Sequence, residues 1–169
     1  MVKKTIMLCA VCASLIQADE VFESERFIGL EAGYSDVQGF HPTDTSDNLT
    51  YGLRIGAQNE EWRTMVGLNL YESKRHSLER VIASLDYFFM NDIETKPFPI
   101  TPYFGVNIGY MNFESIGVDE SGTIYGGQAG LMFSFIPSLD IDVAYRYSLS
   151  GKDAFDHVGE VFLGLNFKY

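Results

Sequence analysis

The sequence is poor in several features that would point to other classes of protein. Its two cysteines, Cys9 and Cys12, lie close to the N-terminus, so the rest of the chain has no disulfide, thiolate nucleophile or cysteine metal ligand. No stretch approaches about 18 continuous apolar residues, the length that predicts a transmembrane helix. Basic residues number 12 against 23 acidic ones, which argues against nucleic acid as a partner.

Residues 1–18 have the features of a secretory signal peptide that is removed on export. Lys3 and Lys4 precede a mostly apolar run that ends at Ile16, and Ala18 provides a small residue at the cleavage point. A lipid-modified Cys12 would instead need a small residue before it, where the sequence has valine. The predicted mature domain is 19–169. Its formal charge is −13 rather than −11, because the segment removed carries two basic residues and no acidic ones.

Apolar and polar residues alternate through most of the mature chain, which is the pattern of half-buried β-strands. All five prolines fall between the segments that alternate, as expected where a strand needs every backbone N–H for its ladder. The sequence therefore predicts one all-β domain with eight strands, at 26–34, 50–57, 62–71, 80–89, 103–111, 124–134, 139–148 and 160–169.

The two faces of these strands differ in a way that predicts which face meets lipid. One face carries no charge, and the other holds ten charged residues and ten glycines. A water-facing sheet gains nothing from glycine, whereas small residues relieve crowding inside a narrow eight-stranded lumen. The pattern favours an eight-stranded antiparallel up-and-down transmembrane β-barrel with its apolar face outward.

The connections predict an orientation with the N-terminus in the periplasm. Connections 1, 3, 5 and 7 read as long outer loops, connections 2 and 6 as short turns, and connection 4 is longer than a periplasmic turn requires. The outer loops are expected to be acidic, either as a solvated surface or as contacts bridged by divalent cations to lipopolysaccharide. The acidic residues assigned to them are Asp36, Asp44, Asp47, Glu114, Asp119, Glu120, Asp153 and Asp156.

Aromatic residues are predicted to form two belts at the membrane–water interfaces, where amphipathic rings are enriched. The outer belt would contain Tyr34, Tyr51, Tyr110, Tyr125 and Tyr147. The periplasmic belt would contain Trp62, Phe89, Phe104, Phe133, Phe167 and Tyr169.

The charged residues of the inward face are predicted to pair across neighbouring strands. The expected pairs are Glu31 with Arg54, Arg63 with Asp86, Asp140 with Lys168 and Arg146 with Glu160, with Arg80 and Asp142 as neighbours. The favoured interpretation is a salt-bridge plug. The alternative is an ion path or gate, which is disfavoured because the lumen of an eight-stranded barrel is just wide enough for side chains.

The histidines raise the possibilities of a metal site and of an enzyme. His41, His76 and His157 are assigned to outer loops near aspartates, where solvated side chains are the simpler interpretation. A lipid A deacylase would need His, Ser and a carboxylate to converge, and the segment "RHSLE" offers His76, Ser77 and Glu79. Adjacent strand residues point to opposite faces, so His76 and Ser77 are poorly placed to act together. No catalytic residue, metal ligand or cofactor is predicted.

Two segments carry a resemblance to a known family. "IPSLDIDVAYRYS" (136–148) is similar to the turn and strand near the end of small outer-membrane barrels of the OmpA/OmpX type, which are porin-like outer-membrane proteins. "LGLNFKY" (163–169) resembles their C-terminal assembly signal, which usually ends in Phe. The resemblance implies that Leu163, Leu165, Phe167 and Tyr169 are read by the barrel assembly machinery.

Together these features predict a non-enzymatic barrel in the outer membrane of a Gram-negative bacterium, with a structural or surface-interaction role. Its partners would be outer-membrane lipid and lipopolysaccharide, the assembly machinery, and a surface ligand that the sequence does not identify. The alternatives are a lipid A-modifying enzyme of the deacylase kind and a narrow pore.

Overall fold

The structure, a computed structural model, describes residues 24–38, 48–72, 76–89, 99–115, 118–151 and 157–169. These residues form eight β-strands and no helix, and hence no helix that could cross a membrane. The alternation of the sequence is the reason, because each segment has one apolar and one polar face. The strands are β1 (Glu25–Gln38), β2 (Asn48–Gln58), β3 (Trp62–Glu72), β4 (His76–Phe88), β5 (Ile100–Ser115), β6 (Val118–Ile136), β7 (Leu139–Ser150) and β8 (His157–Lys168).

The eight strands close into a barrel in sequence order, and every neighbouring pair is antiparallel. β8 pairs with β1 from Lys168 opposite Phe27 to His157 opposite Gln38, which leaves no open edge along the wall. We call the end where β1 begins and β8 finishes the terminal end, and the opposite end the far end. The predicted fold, an eight-stranded antiparallel up-and-down barrel, is confirmed.

The outer wall is apolar and the inside is polar, as the alternation predicted. From Glu160 to Phe167 in β8, buried positions alternate with more exposed ones, and Leu163 is 53% exposed whereas Phe162 is 1% exposed. The large apolar side chains on the outer wall include Ile28, Leu30, Leu53, Val106, Ile108, Leu131, Val143, Tyr145, Val161 and Leu163. The buried face instead carries arginine, carboxylate, amide and hydroxyl side chains beside a smaller group of apolar ones.

The prediction that all five prolines lie between strands is wrong for one of them. Pro102 lies inside β5 and is paired with Leu131 of β6. Its carbonyl accepts a hydrogen bond of 3.1 Å from the Phe89 N–H, one residue beyond the end of β4. The N–H and C=O of a strand residue point to the same side, so the N–H that proline lacks would have pointed toward β4. β4 ends at Phe88, so no ladder hydrogen bond is lost there. The ladder therefore tolerates the proline there.

Two predicted outer loops are largely strand. Only residues 73–75 separate β3 from β4, and only residues 116–117 separate β5 from β6. Glu114 lies in β5, opposite Asp119 in β6, and Phe113 lies opposite Glu120. The polar residues there suggested a loop, but backbone pairing does not require apolar side chains. Asp36 lies in β1 for the same reason, while Asp44, Asp47, Asp153 and Asp156 fall outside the described residues.

The connection lengths consequently give weaker support to an orientation than the sequence suggested. Connection 4, at 89–99, is longer than connections 3 and 5 at the other end of the barrel. What distinguishes the far end is the length of the β5–β6 hairpin, whose strands have 16 and 19 residues. The predicted periplasmic position of the N-terminus stays a prediction.

Candidate functional site

A single chain of ion pairs runs through the lumen. Seven ion pairs join eight buried side chains in the order Asp86, Arg63, Asp142, Arg54, Glu31, Arg146, Glu160, Arg80. We call these eight residues the lumen network. The Arg63 guanidinium lies 2.8 Å from Asp86 and 3.0 Å from Asp142. The Arg146 guanidinium lies 3.0 Å from both Glu31 and Glu160, and that of Arg80 lies 2.5 Å from Glu160. Arg54 lies 3.3 Å from Glu31 and also contacts Asp142.

All four ion pairs expected between neighbouring strands are present. Glu31–Arg54, Arg63–Asp86 and Arg146–Glu160 lie within the lumen network, and Asp140–Lys168 lies at the terminal end at 3.3 Å. The registers explain this. Arg63 is directly opposite Asp86 and Arg146 is directly opposite Glu160, while the other two pairs are diagonal, offset by two residues. Side chains in such positions on one face of a sheet are near neighbours.

The contacts that cross the lumen were not predicted from the sequence. Arg63 of β3 and Arg54 of β2 both reach Asp142 of β7, and Arg80 of β4 reaches Glu160 of β8. Alternation shows which face a residue occupies, but the tilt of the strands decides which residues lie at the same depth. The crossings tie opposite walls of the barrel together and occupy its middle.

Neutral side chains donate further hydrogen bonds to the carboxylates of the lumen network. Asn69 donates to Glu31 at 2.9 Å and Thr50 donates to Glu160 at 2.7 Å. The Tyr103 hydroxyl donates to Asp142 at 3.0 Å, and Gln128 donates to Asp86 at 2.7 Å. Buried charges are stable only when they are paired and hydrogen-bonded in this way. These four residues were not singled out from the sequence, although their inward positions could have identified them.

Aromatic side chains fill the space beside the arginines. The Arg63 guanidinium lies 4.4 Å from the Tyr103 ring centroid, and the Arg146 guanidinium lies 4.3 Å from that of Phe162. Cation–π contacts are favourable at these distances, more so away from water. Both rings belong to a buried cluster with Phe88, Met132 and Ala144. The network and this cluster therefore place both ion-paired and apolar side chains inside the lumen.

The interior charges balance among the described residues. Five buried carboxylates (Glu31, Asp86, Asp140, Asp142, Glu160) face four buried arginines (Arg54, Arg63, Arg80, Arg146) and the partly buried Lys168. A neutral interior avoids the large cost of an uncompensated charge away from water. The other acidic residues whose exposure the structure describes, Glu25, Glu60, Glu61 and Glu79, are exposed.

Lys168 links three strands at the terminal end. Its Nζ lies 3.3 Å from Asp140 of β7 and 3.2 Å from the exposed Glu25 at the start of β1. Its backbone N–H donates to Ser138 at 3.0 Å, and the Tyr169 N–H donates to Arg26 at 3.0 Å. The last residues of the chain are thus held to both neighbouring strands where the barrel closes.

Replacing Lys168 by alanine should lower the free energy of unfolding by about 1.5–3 kcal/mol, because buried Asp140 loses a charged hydrogen-bond partner. The matched control is Glu25→Gln, which removes only the exposed half of the same cluster and should cost less than about 1 kcal/mol. Urea unfolding of the refolded barrel measures both values. Equal losses would show that Asp140 does not depend on Lys168.

The predicted belt residues lie at the two ends of the barrel as assigned. Tyr34, Tyr51, Tyr110, Tyr125 and Tyr147 lie in the far halves of their strands and are exposed on the outer wall. Trp62, Phe89, Phe104, Phe133, Phe167 and Tyr169 lie toward the terminal end. There the rings of Trp62, Tyr87, Phe104 and Phe89 touch in series, with centroids 4.8, 5.8 and 5.6 Å apart. Tyr87 joins this group without having been assigned to a belt.

The residues considered for metal binding or catalysis do not form a site in the described part of the chain. His157 is the first residue of β8 rather than a loop residue, and its ring lies 5.2 Å from that of Tyr147. His76 begins β4, but its side chain and that of Ser77 lie outside the described residues, as does His41. No group of three or more His, Cys, Asp or Glu that could hold a metal ion occurs among the residues described.

Comparisons with known proteins find similarity in structure alone. No family model matches the sequence, and no curated protein matches it. Among solved structures, Neisserial surface protein A (NspA) matches with a TM-score of 0.66 and 19% identity over 86% of this chain and 97% of that one. Outer membrane protein H (OprH) from P. aeruginosa matches with a TM-score of 0.63 and 18% identity over 86% and 99%.

An enzyme has a similar fold. The outer membrane enzyme PagL matches with a TM-score of 0.52 and 14% identity, over 83% of this chain and 98% of that chain. At such identities the comparisons show the fold, that of small eight-stranded outer-membrane β-barrels, and do not decide between an enzyme and a barrel without catalytic activity.

Proposed function

We propose that this protein is a non-enzymatic β-barrel of the outer membrane of a Gram-negative bacterium, exported with its signal peptide and serving a structural or surface-interaction role. The observation that carries the proposal is the distribution of polar and apolar side chains, which is the reverse of that in a water-soluble protein. Apolar side chains such as Leu30, Leu53 and Leu163 are exposed around the wall, while nine charged side chains are buried within it.

Lipid is the environment that makes this distribution favourable. Each apolar side chain on the wall would cost about 25 cal/mol per Å² if it stayed in water. A barrel leaves no unpaired strand edge along its wall, so its backbone needs no hydrogen bonds from the surroundings. In a carrier that circulates in water, the apolar face would line the cavity and the charges would lie outside.

The first experiment is cell fractionation followed by gel electrophoresis with and without heating. We expect the mature protein in the outer-membrane fraction, with different mobility in unheated and boiled samples because a closed barrel resists detergent. Protein recovered from the periplasm in soluble form would contradict the proposal and would restore a ligand carrier as the better interpretation.

An unpaired stretch of β6 at the far end supports a surface-interaction role. β5 and β6 stay paired up to Ser115 opposite Val118, whereas β6 and β7 are paired only from Ile124 opposite Ser150. Beyond the Thr123 carbonyl, which accepts from the Gly151 N–H at 2.9 Å, residues 118–122 have no strand partner on that side within the described part of the chain. Although the wall itself is closed, a short unpaired edge of this kind beyond it can bind an extended segment of another protein.

Two further functions stay as alternatives, and two assays separate them from the proposal. A lipid A-modifying enzyme is kept because PagL has a similar fold, and residues 76–79 offer His, Ser and Glu. A narrow pore is kept because the lumen is polar.

Mass spectrometry of lipid A from cells with and without the protein tests the enzyme. Conductance of purified protein in planar bilayers tests the pore, and no signal is expected in either.

Tyr169 provides a prediction about assembly that rests on the resemblance of the C-terminal segment. Its side chain is 80% exposed, so Tyr169→Ala should cost the refolded protein little stability. If the assembly machinery reads the terminal aromatic residue, the same change should reduce the amount of folded barrel in cells several-fold. Tyr169→Phe is the matched control and should assemble at least as well as the wild type. Equal cellular yields of Tyr169→Ala and wild type would contradict this role.

A further inference from the structure

Three buried polar atoms at the terminal end of the lumen lack a hydrogen-bond partner among the described residues. They are Gln58 Oε1, Asp140 Oδ1 and Asn166 Nδ2. The three side chains come from β2, β7 and β8 and are at most 6% exposed. An unpartnered buried polar atom costs about 1–3 kcal/mol, so three such atoms together indicate a ligand that satisfies them.

These side chains adjoin one another. Gln58 Nε2 donates to Asp140 Oδ2 at 3.0 Å, which places the rest of the Gln58 amide beside the Asp140 carboxylate. Asp140 and Asn166 are directly opposite each other in the β7–β8 register. Side chains opposite each other on one face of a sheet are within reach of a shared partner.

The orientation of both amides is fixed by bonds already made. Asn166 Oδ1 accepts from Arg54 Nε at 2.8 Å, so its Nδ2 is the atom left over. Gln58 uses its Nε2 on Asp140, so its Oε1 is left over. The remaining atoms are therefore two acceptors and one donor, and rotating either amide would break an existing bond.

This combination selects the chemistry of the ligand. A metal cation would be repelled by the Asn166 N–H, and an anion would be repelled by the two acceptor oxygens. A water molecule can donate its two hydrogens to the acceptors and accept from the amide, giving the three bonds typical of buried water. The Lys168 ammonium, whose side chain is 14% exposed, contacts the other oxygen of Asp140 and leaves Oδ1 available to this water.

We infer that Gln58, Asp140 and Asn166 bind a water molecule inside the terminal end of the lumen. This water joins the Asp140–Lys168 pair to Asn166, and through Arg54 to the lumen network. The inference goes beyond the proposed function and does not depend on it, because it concerns the interior of the barrel and not its location or partners.

The test is nuclear magnetic resonance of the refolded barrel in detergent micelles, with the side-chain amides of Asn and Gln labelled with ¹⁵N. A water–amide cross-peak in a rotating-frame experiment separates direct contact from chemical exchange by its sign. We expect contact cross-peaks at Asn166 and Gln58. The matched controls are Asn69 and Gln128, equally buried amides whose corresponding groups are bonded to Glu31, Asp86 and Arg146, and they should give none.

A variant makes the assignment specific. Gln58→Met removes one of the two acceptors, and the contact cross-peak at Asn166 should fall at least several-fold. Gln128→Met changes a comparable buried glutamine away from the site and should leave that cross-peak unchanged. Absence of the cross-peak at Asn166 and Gln58 in the wild-type protein would overturn the inference, as would cross-peaks of equal strength at all four amides.

Discussion

Replacing Arg54 by leucine should lower the free energy of unfolding of the barrel by about 3–5 kcal/mol. The Arg54 side chain is 1% exposed and is bound at once to Glu31, Asp142 and Asn166. Leucine satisfies none of these groups, and the lumen is left with an excess negative charge. The measurement is urea unfolding of the refolded protein, followed by circular dichroism or by the shift in gel mobility.

Two controls separate the loss of a buried charge from a general effect of substitution. Replacing both Arg54 and Glu31 by leucine restores the balance of charge and should cost less than the single change, as removal of whole buried pairs often does. Glu60→Gln at an exposed turn should stay within about 0.5 kcal/mol of the wild type. Unfolding of Arg54→Leu at the wild-type urea concentration would show that the pairing or the inward face is wrong.

The second large effect is expected at Gly164. A methyl group there would overlap the Arg54 guanidinium and the Asp142 carboxylate, so the central ion pair of the network would have to move. Overpacking of a filled interior costs about 1–3 kcal/mol or more. We expect Gly164→Ala to lie at or above the upper end of this range in the same urea experiment.

Gly67 provides the matched control, because it also lies on a strand whose neighbouring positions, Met65 and Asn69, are buried in the lumen. The nearest atom to a methyl group at Gly67 would be 3.9 Å away, an ordinary contact. Gly67→Ala should therefore be neutral or slightly stabilising, since alanine loses less backbone freedom on folding than glycine. Equal losses at Gly67 and Gly164 would mean that crowding by the network is not the reason for glycine at Gly164.

The parts of the fold that follow from local pattern could be predicted from the sequence. Alternation assigns residues to faces, so the eight strands, the apolar wall and pairs between adjacent strands such as Arg63–Asp86 could be predicted. The Arg63–Asp142 and Arg80–Glu160 contacts were not, because they depend on strand tilt and side-chain length. The extension of β5 and β6 past the apolar residues was also missed, since the polar residues of that part of the sequence carry no alternation signal.

The candidate site shows the same division. The ten charged residues were identified because charge on an inward face is unusual, whereas Asn69, Gln128 and Tyr103 look ordinary in the sequence and acquire importance from what they touch. Pro102 was assigned to a connection because proline weakens ladders, and only the end of β4 beside it explains why it is tolerated.

The central claim, that the apolar wall faces lipid, is tested most directly by spin labels along β8 in liposomes. The only native cysteines are Cys9 and Cys12, in the segment predicted to be removed, so single cysteines can be placed at Val161, Leu163, Leu165 and Phe167. We predict high accessibility to oxygen, which partitions into lipid, and low accessibility to a water-soluble nickel complex, with the strongest contrast at Leu163 and Leu165. Labels at Leu163 and Leu165 that are readily reached by the nickel complex and poorly by oxygen would contradict the account.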